Sequence, residues 1–216
     1  MKIGTKSVLF GAHAFWLHPW FVAWAWWKLY GFPFDPRLWF AFFLHDVGYW
    51  GKPNMDGPEG EKHPELGARL MHALFDRPRI VVEEFIGTHG GVVRKRESNY
   101  HWLHLTLFHS RFYAKQVGRL PSRLCAADKL ASYLTPWWIY LPMVKATGEI
   151  QEYMAIAGQG KYLNDHHTCS GLNKEIQDKR IAGTLTPRAW QKVMAESCRR
   201  SAMMILELHR STDKTA

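Results

Sequence analysis

Four histidines and two aspartates stand where helical patterns in this sequence begin or end: His18, the adjacent pair His45–Asp46, His63, His89 and Asp128. A mixed imidazole and carboxylate set suits Fe, Mn, Zn, Co or Ni better than Mg or Ca, which prefer all-oxygen shells. Singly, each has an ordinary explanation. A histidine at a helix start is commonly a cap or a surface residue, and Asp128 in "AADKLA" fits a helix-surface acid. The tandem pair in "AFFLHDVGYWGK" is less ordinary. Neighbours on a helix diverge by about 100°, so both can reach one ion only where the helix relaxes. Gly48 is expected to supply that end. Side chains converging from several helices are how a bundle builds a metal site.

The elements that must position these residues are helical almost throughout. Pro19 suits the first position of a helix running to Gly31. Within it Trp20, Trp24 and Trp27 recur at i, i+4 and i+7 and predict an aromatic core stripe, with a partner-facing or membrane-facing stripe as the alternative. Asp35 and Pro36 open the next helix, which ends at Gly48. Residues 54–62 read as a loop, and His63–Pro64 as the start of "HPELGARLMHALF". "RPRIVVEEFIGTHGG" is expected to be a helix stopped by Gly90 and Gly91, followed by a basic turn, "VRKRES". "YHWLHLTLFHSRFYAKQVG" and "PSRLCAADKLASYL" continue the helical series. A last long helix is expected after Thr186 as cap. "NDHHTC" (164–169) has no partner motif at metal spacing and reads as a loop, with a substrate lid as the alternative.

The chain has 216 residues, 47% of them apolar, enough for a real core and incompatible with a disordered chain. Its formal charge of +9 favours an anionic partner: nucleotide, nucleic acid or membrane surface. No zinc-finger spacing or other nucleic-acid signature supports the second. Cys125, Cys169 and Cys198 are odd in number and far apart, which points to a reducing, cytoplasmic setting without a disulfide framework. Ser7–Trp27 has no formal charge and the length of a bilayer span, but His13, His18 and Pro19 interrupt it. A buried helix is expected there, with surface association and a membrane span as the alternatives; homo-oligomerisation is also left open.

The ordered set H…HD…H…H…D resembles the HD-domain superfamily of metal-dependent phosphohydrolases, over about residues 13–135. "FFLHDVG" is similar to the family's apolar run into HD and glycine, "HPELGARL" to the helix start of its two-metal members, and "AADKLASYL" to the helix carrying the last aspartate. The resemblance implies an all-α fold, an HD-domain helical bundle at 1–135; residues 136–216 match no part of the family and are expected, from their own pattern, to add C-terminal helices packed on the same domain. The resemblance also implies that His18, His45, Asp46 and Asp128 bind one divalent transition metal (Fe, Mn, Ni, Co or Zn). His63 and His89 bind a second, with Asp46 bridging, or, in a single-metal site, touch substrate instead. His18 is preferred to His13 because "HPWFVAWAW" matches the family's first helix. Two departures stand out. Tyr49 occupies a place where two-metal relatives often carry lysine, and "THGG" offers one histidine where they commonly have a pair.

The implied activity is hydrolysis of a phosphoester in a nucleotide or nucleotide-like anion by metal-activated water. Such chemistry needs cations on the phosphoryl oxygens. Lys129, beside a predicted ligand, is the foremost catalytic candidate with Asp46. Lys52, Arg94, Lys95, His109, Arg111 and Lys115 are the phosphate-binding candidates. An HD-type di-iron oxygenase, for which Tyr49 speaks, and a non-catalytic nucleotide-binding module are the alternatives. Residues 136–216 could be a helical cap, an oligomer interface or a specificity region.

Overall fold

The computed structural model describes residues 1–55, 58–85, 91–156 and 170–215. The uncharged N-terminal stretch breaks into two helices, α1 (Ile3–Phe10) and α2 (His18–Tyr30), with Pro19 in the first turn of the second. Among the described residues no helix is long and apolar enough to cross a membrane. Asp35 caps α3 (Pro36–Leu44) by accepting from the Arg37 amide at 2.9 Å, as its Asp-Pro opening predicts. His63 and Pro64 likewise open α4 (Pro64–Phe75).

Residues 79–97 depart from the expected helix and basic turn. They form an antiparallel pair, β1 (Arg79–Phe85) and β2 (Gly91–Glu97), in register Arg79↔Glu97 to Phe85↔Gly91. The β-branched runs Ile80–Val82 and Val92–Val93, either side of a glycine pair, favour a hairpin over a helix. The hairpin is an insertion. Asp76, just before it, is buried and accepts from the amides of Trp102 (2.9 Å) and Leu103 (2.8 Å) just after it, which closes its base.

The remaining described elements are helices: α5 (His101–Leu107), α6 (Arg111–Gln116), α7 (Arg123–Leu134), α8 (Trp137–Thr147), α9 (Glu149–Ile156), α10 (Ser170–Ile181) and α11 (Pro187–Thr215). The class is all-α, with one hairpin inserted. Ser122 and Thr186 cap α7 and α11 through their hydroxyls.

Helix α7 is the axis of the core. Leu124, Cys125, Ala126, Ala127 and Ala131 are fully buried, so it is enclosed on most sides, as a central helix is, with Asp128 the buried polar exception. Helices α2 and α11 pack on it, and Ala202 and Ile205 of α11 join the same apolar cluster as Phe42 and Met71. Its alanines let neighbours approach closely, and this decides which face of α2 turns inward. The buried face is His18, Val22, Ala23, Ala25 and Trp26, small residues for the most part. The expected aromatic core stripe is therefore on the outside: Trp20, Trp24 and Trp27 are 55%, 41% and 57% exposed. A second apolar cluster, Leu141, Val144, Ile150, Ile176, Trp190 and Val193, joins α8 to α11.

Candidate metal centre

Helix α3 ends at Leu44, four residues before the expected stop, so His45 and Asp46 already lie in the bend that follows. Gly48 sits inside a short 3-10 turn, Val47–Tyr49. Its value is space rather than termination: a Cβ there would lie 1.9 Å from the His63 carbonyl oxygen. The glycine thus lets the start of α4 close onto the His45–Asp46 bend. From the core side, α2 presents His18 and α7 presents Asp128. His109 reaches the same point from the turn after α5. All six of these side chains are buried.

The six divide into two sets around one carboxylate. His18, His45, Asp46 and Asp128 offer ligand atoms within 4.8 Å of one another, and so do Asp46, His63 and His109. Asp46 Oδ2 faces the first set, 3.0 Å from His45 Nε2 and 3.5 Å from His18 Nε2. Its Oδ1 faces the second, 3.3 Å from His109 Nε2 and 3.5 Å from His63 Nε2. Asp128 Oδ1 completes the first set, 3.0 Å from His18 Nε2.

Three of the histidines are oriented by the same local device. The Nδ1–H of His45 donates to Phe42 O (2.9 Å), that of His63 to Gly60 O (2.8 Å) and that of His109 to Thr106 O (2.5 Å), each three residues back. A histidine whose Nδ1 carries the proton presents a bare Nε2 lone pair, the usual state of a metal-ligating imidazole. Two such lone pairs, on His63 and His109, then face each other at 3.1 Å. They repel unless a cation lies between or beside them. In the first set, His45 Nε2 and Asp46 Oδ2 are buried and make no hydrogen bond among the described residues, despite their proximity. Both observations fit a bound cation.

The protonation balance points the same way. Burial pushes the Asp46 carboxyl up, but His45, His13 and His109 outweigh it and hold it well below the usual carboxylate range. Asp128 is held low against burial, chiefly by the Lys129 ammonium. Burial lowers His18, and burial together with His109 pushes His63 far below an ordinary histidine. Burial also disfavours charge on His45, yet Asp46 and Asp128 prevail and raise it to about 10. Ionised carboxylates and neutral imidazoles are the ligand-competent forms; Asp46, Asp128, His18 and His63 are biased toward them, while in the ion-free centre His45 recruits a second proton, on Nε2, that a cation would displace.

A cavity of about 200 Å³ adjoins the centre, with His13, His18 and Tyr49 on one wall. The Tyr49 ring stacks on His63 (3.9 Å between centroids, 9° between planes) and tilts against His13 (4.7 Å). Lys129 and Arg111 line the cavity, and Lys129 Nζ donates to Asp128 Oδ2 at 3.1 Å. The opposite wall comes from residues 136–216, including Tyr153, Trp190 and Gln191. Trp190 is 4% exposed, and its Nε1–H finds no acceptor among the described residues.

The structure brings together His18, His45, Asp46, His63 and Asp128, and places His109, expected among phosphate-binding groups, beside Asp46 and His63. His89 and the "NDHHTC" loop lie outside the described residues. Lys52 is engaged by Glu59 (3.5 Å) and Lys115 is exposed; neither lines the cavity. Arg94 and Lys95 belong to β2, opposite Val82 and Val81, rather than to a turn. The sequence did hold a signal for His109: "LTLFHS" repeats the form of "AFFLHD", an apolar helical run ending in histidine. No such signal marks Glu149. This wholly buried carboxylate accepts from Ser7 Oγ, the Ala12 amide (3.0 Å) and Thr147 Oγ1 (2.7 Å), and lies 3.8 Å from His13 Nδ1. It ties the chain's N-terminal bend to α9 and steadies His13, whose Nε2 is 4.0 Å from Asp46. Gly11 makes that tie sterically feasible, since a Cβ there would lie 2.0 Å from the Glu149 carboxylate.

No protein-family model, curated protein or solved structure matches this chain.

Proposed function

We propose that this protein is an HD-type metal-dependent phosphohydrolase that cleaves a phosphoester in a small anionic substrate, a mononucleotide or a molecule of similar size. The observation that carries the reading is the division of Asp46, one oxygen toward each of two histidine-bearing sets. That is the arrangement of a bridging carboxylate, and five of its residues occur in the HD-like order of the sequence. When bound, divalent ions supply Lewis-acid chemistry, acidifying water and neutralising charge on phosphoryl oxygens.

The protein's own groups supply the rest. His45, His63 and His109 are held by their main-chain bonds, so the centre is preorganised rather than assembled on binding. Lys129 is fixed at the cavity edge by Asp128, and that carboxylate keeps it charged against the opposing effect of burial. It is the best placed donor to a phosphoryl oxygen as negative charge builds, with Arg111 nearby. The C-terminal wall shapes the remainder of the substrate. At about 200 Å³ the cavity is smaller than the ~300–1,000 Å³ of drug-sized ligand sites, which favours compact substrates over polymers.

Purified protein should carry Fe, Mn, Co, Ni or Zn by elemental analysis and hydrolyse at least one member of a panel of nucleotides and generic phosphoesters. Retention of both metal and activity by His45→Ala and Asp46→Ala sinks the reading. A di-iron oxygenase is the second reading, drawn from Tyr49 stacked on His63 at the cavity wall. Substrate-dependent oxygen uptake by iron-loaded protein, without phosphate release, selects it.

A further inference from the structure

The aromatic face of α2 has no use in the metal centre. Trp20, Trp24 and Trp27 point away from the core and are 41–57% exposed. The face continues past the end of α2. Trp27 meets Phe32 (6.0 Å between ring centroids) and Phe32 meets Phe34 (4.9 Å), the latter 85% exposed. Trp20 contacts Trp39 and Phe43 of α3 at 5.8 and 5.7 Å. Exposed apolar residues scattered singly are ordinary, but a contiguous aromatic field on one side of a domain marks an interaction surface.

Charge selects the occupant. Residues 1–45 contain Lys2, Lys6, Lys28 and Arg37 against a single acid, Asp35, which is already paired with Arg37 at 2.7 Å. Lys28 lies over the Trp24 ring, its Nζ 5.1 Å from the centroid, so a cation stands beside the aromatic field. A second copy of the chain would bring the same cations against one another across a two-fold contact, and each copy carries +9. An anionic lipid surface meets both features. Indole rings prefer the headgroup boundary, and lysines reach lipid phosphates beside them.

We propose that the α2 face and the Phe32–Phe34 loop seat this protein on an anionic membrane surface, with α2 lying in the interface rather than crossing it. The Trp20–Trp27 stripe rises about 10 Å along the helix, so its rings enter the headgroup region together.

The test uses the whole protein and vesicles of phosphatidylcholine containing about 30% phosphatidylglycerol, against phosphatidylcholine alone. Expected is co-sedimentation with the anionic vesicles at least ~10-fold stronger than with neutral ones, weakened by salt, with tryptophan emission quenched by brominated acyl chains. The double variant Trp24→Ser/Trp27→Ser should lose ~10-fold or more of the binding and most of the quenching, and Lys28→Glu a few-fold. Both replace exposed side chains, so metal content and far-ultraviolet dichroism should not change. Equal vesicle binding by the double variant overturns the proposal, as does quenching no greater than for free tryptophan in solution. So does a dimer in vesicle-free sedimentation that the double variant abolishes, which would assign the face to a second copy. A protein without phosphoesterase activity that still binds vesicles in this way leaves the proposal standing, since the surface is independent of the metal centre.

Discussion

The two halves of the histidine–aspartate centre share Asp46 and differ in everything else. The first half, with His18, His45 and Asp128, draws its ligands from α2, the end of α3 and α7, the best-packed part of the core. It has two carboxylates for two imidazoles. The second half, with His63 and His109, draws on the N-terminus of α4 and a turn after α5, and Asp46 is its single carboxylate. Formal charge therefore favours a divalent ion in the first half, while the second is poised by two facing lone pairs at 3.1 Å. On the proposed two-metal reading, the first half is expected to hold its ion more tightly than the second, with Asp46 coupling the two.

Removing the shared group should have the largest effect. Asp46→Ala is expected to lose both ions and to lower phosphoesterase activity by ~10³-fold or more, read by elemental analysis and turnover. Retention of one ion would mean that the halves are independent and Asp46 does not bridge. His109→Ala should separate the halves: about half the metal per chain remains, and activity falls ~10²-fold. His18→Ala, by contrast, should deplete the tighter half and lower affinity for the remaining ion as well. If His109→Ala leaves metal content untouched, the second set is a hydrogen-bonded histidine pair and not a ligand set.

These assignments were unevenly legible in the sequence. Residues with a backbone signature could be placed: Asp35 and Thr186 as caps, His63 at an α4 start fixed by Pro64, the tandem His45–Asp46 before a glycine. Contacts that depend on tertiary packing could not. Periodicity places Trp20, Trp24 and Trp27 on one face of α2, but which face is buried is decided by the close approach of α7, whose alanines favour Val22, Ala23 and Ala25 opposite them. His63 could be picked out as a candidate ligand, yet its neighbour His109 lies 46 residues away across the hairpin. The hairpin itself read as a helix because its apolar run is short, where β-branching is a better guide than period.

Beyond the ligands, Lys129 tests whether the first half also performs the chemistry. Lys129→Met removes the cation 3.1 Å from Asp128 Oδ2 and should keep the metal while lowering kcat by ~10²-fold, with little change in KM. Equal loss for Lys115→Met, an exposed lysine outside the cavity, would show a general charge effect instead. Acidity should act on the same half. The ion-free centre keeps a proton on His45, whose value is raised to about 10, so metal must displace it at neutral pH. Affinity is then expected to rise ~10-fold per pH unit between about 7 and 9 and to level off above the raised value, with proton release measurable by calorimetry in buffers of different ionisation enthalpy. Affinity flat across that range would place the displaced proton elsewhere.

The smallest expected effect lies on the far wall of the cavity, where the C-terminal helices face the metal centre. Trp190 stacks on Tyr153 (5.5 Å, 3° between planes) and keeps a buried indole N–H without an acceptor among the described residues. An unsatisfied donor at the edge of a cavity is costly unless a ligand supplies the acceptor. Trp190→Phe keeps the stacked ring and removes only the N–H. With a substrate identified from the phosphoester panel, KM is expected to rise about 5–10-fold, the value of one modest hydrogen bond, with kcat and metal content unchanged. A fall in kcat at constant KM would place Trp190 in contact with the reacting phosphoryl group. No change in either would mean that the substrate stays on the metal side of the cavity, leaving the C-terminal wall a purely structural partner of the site.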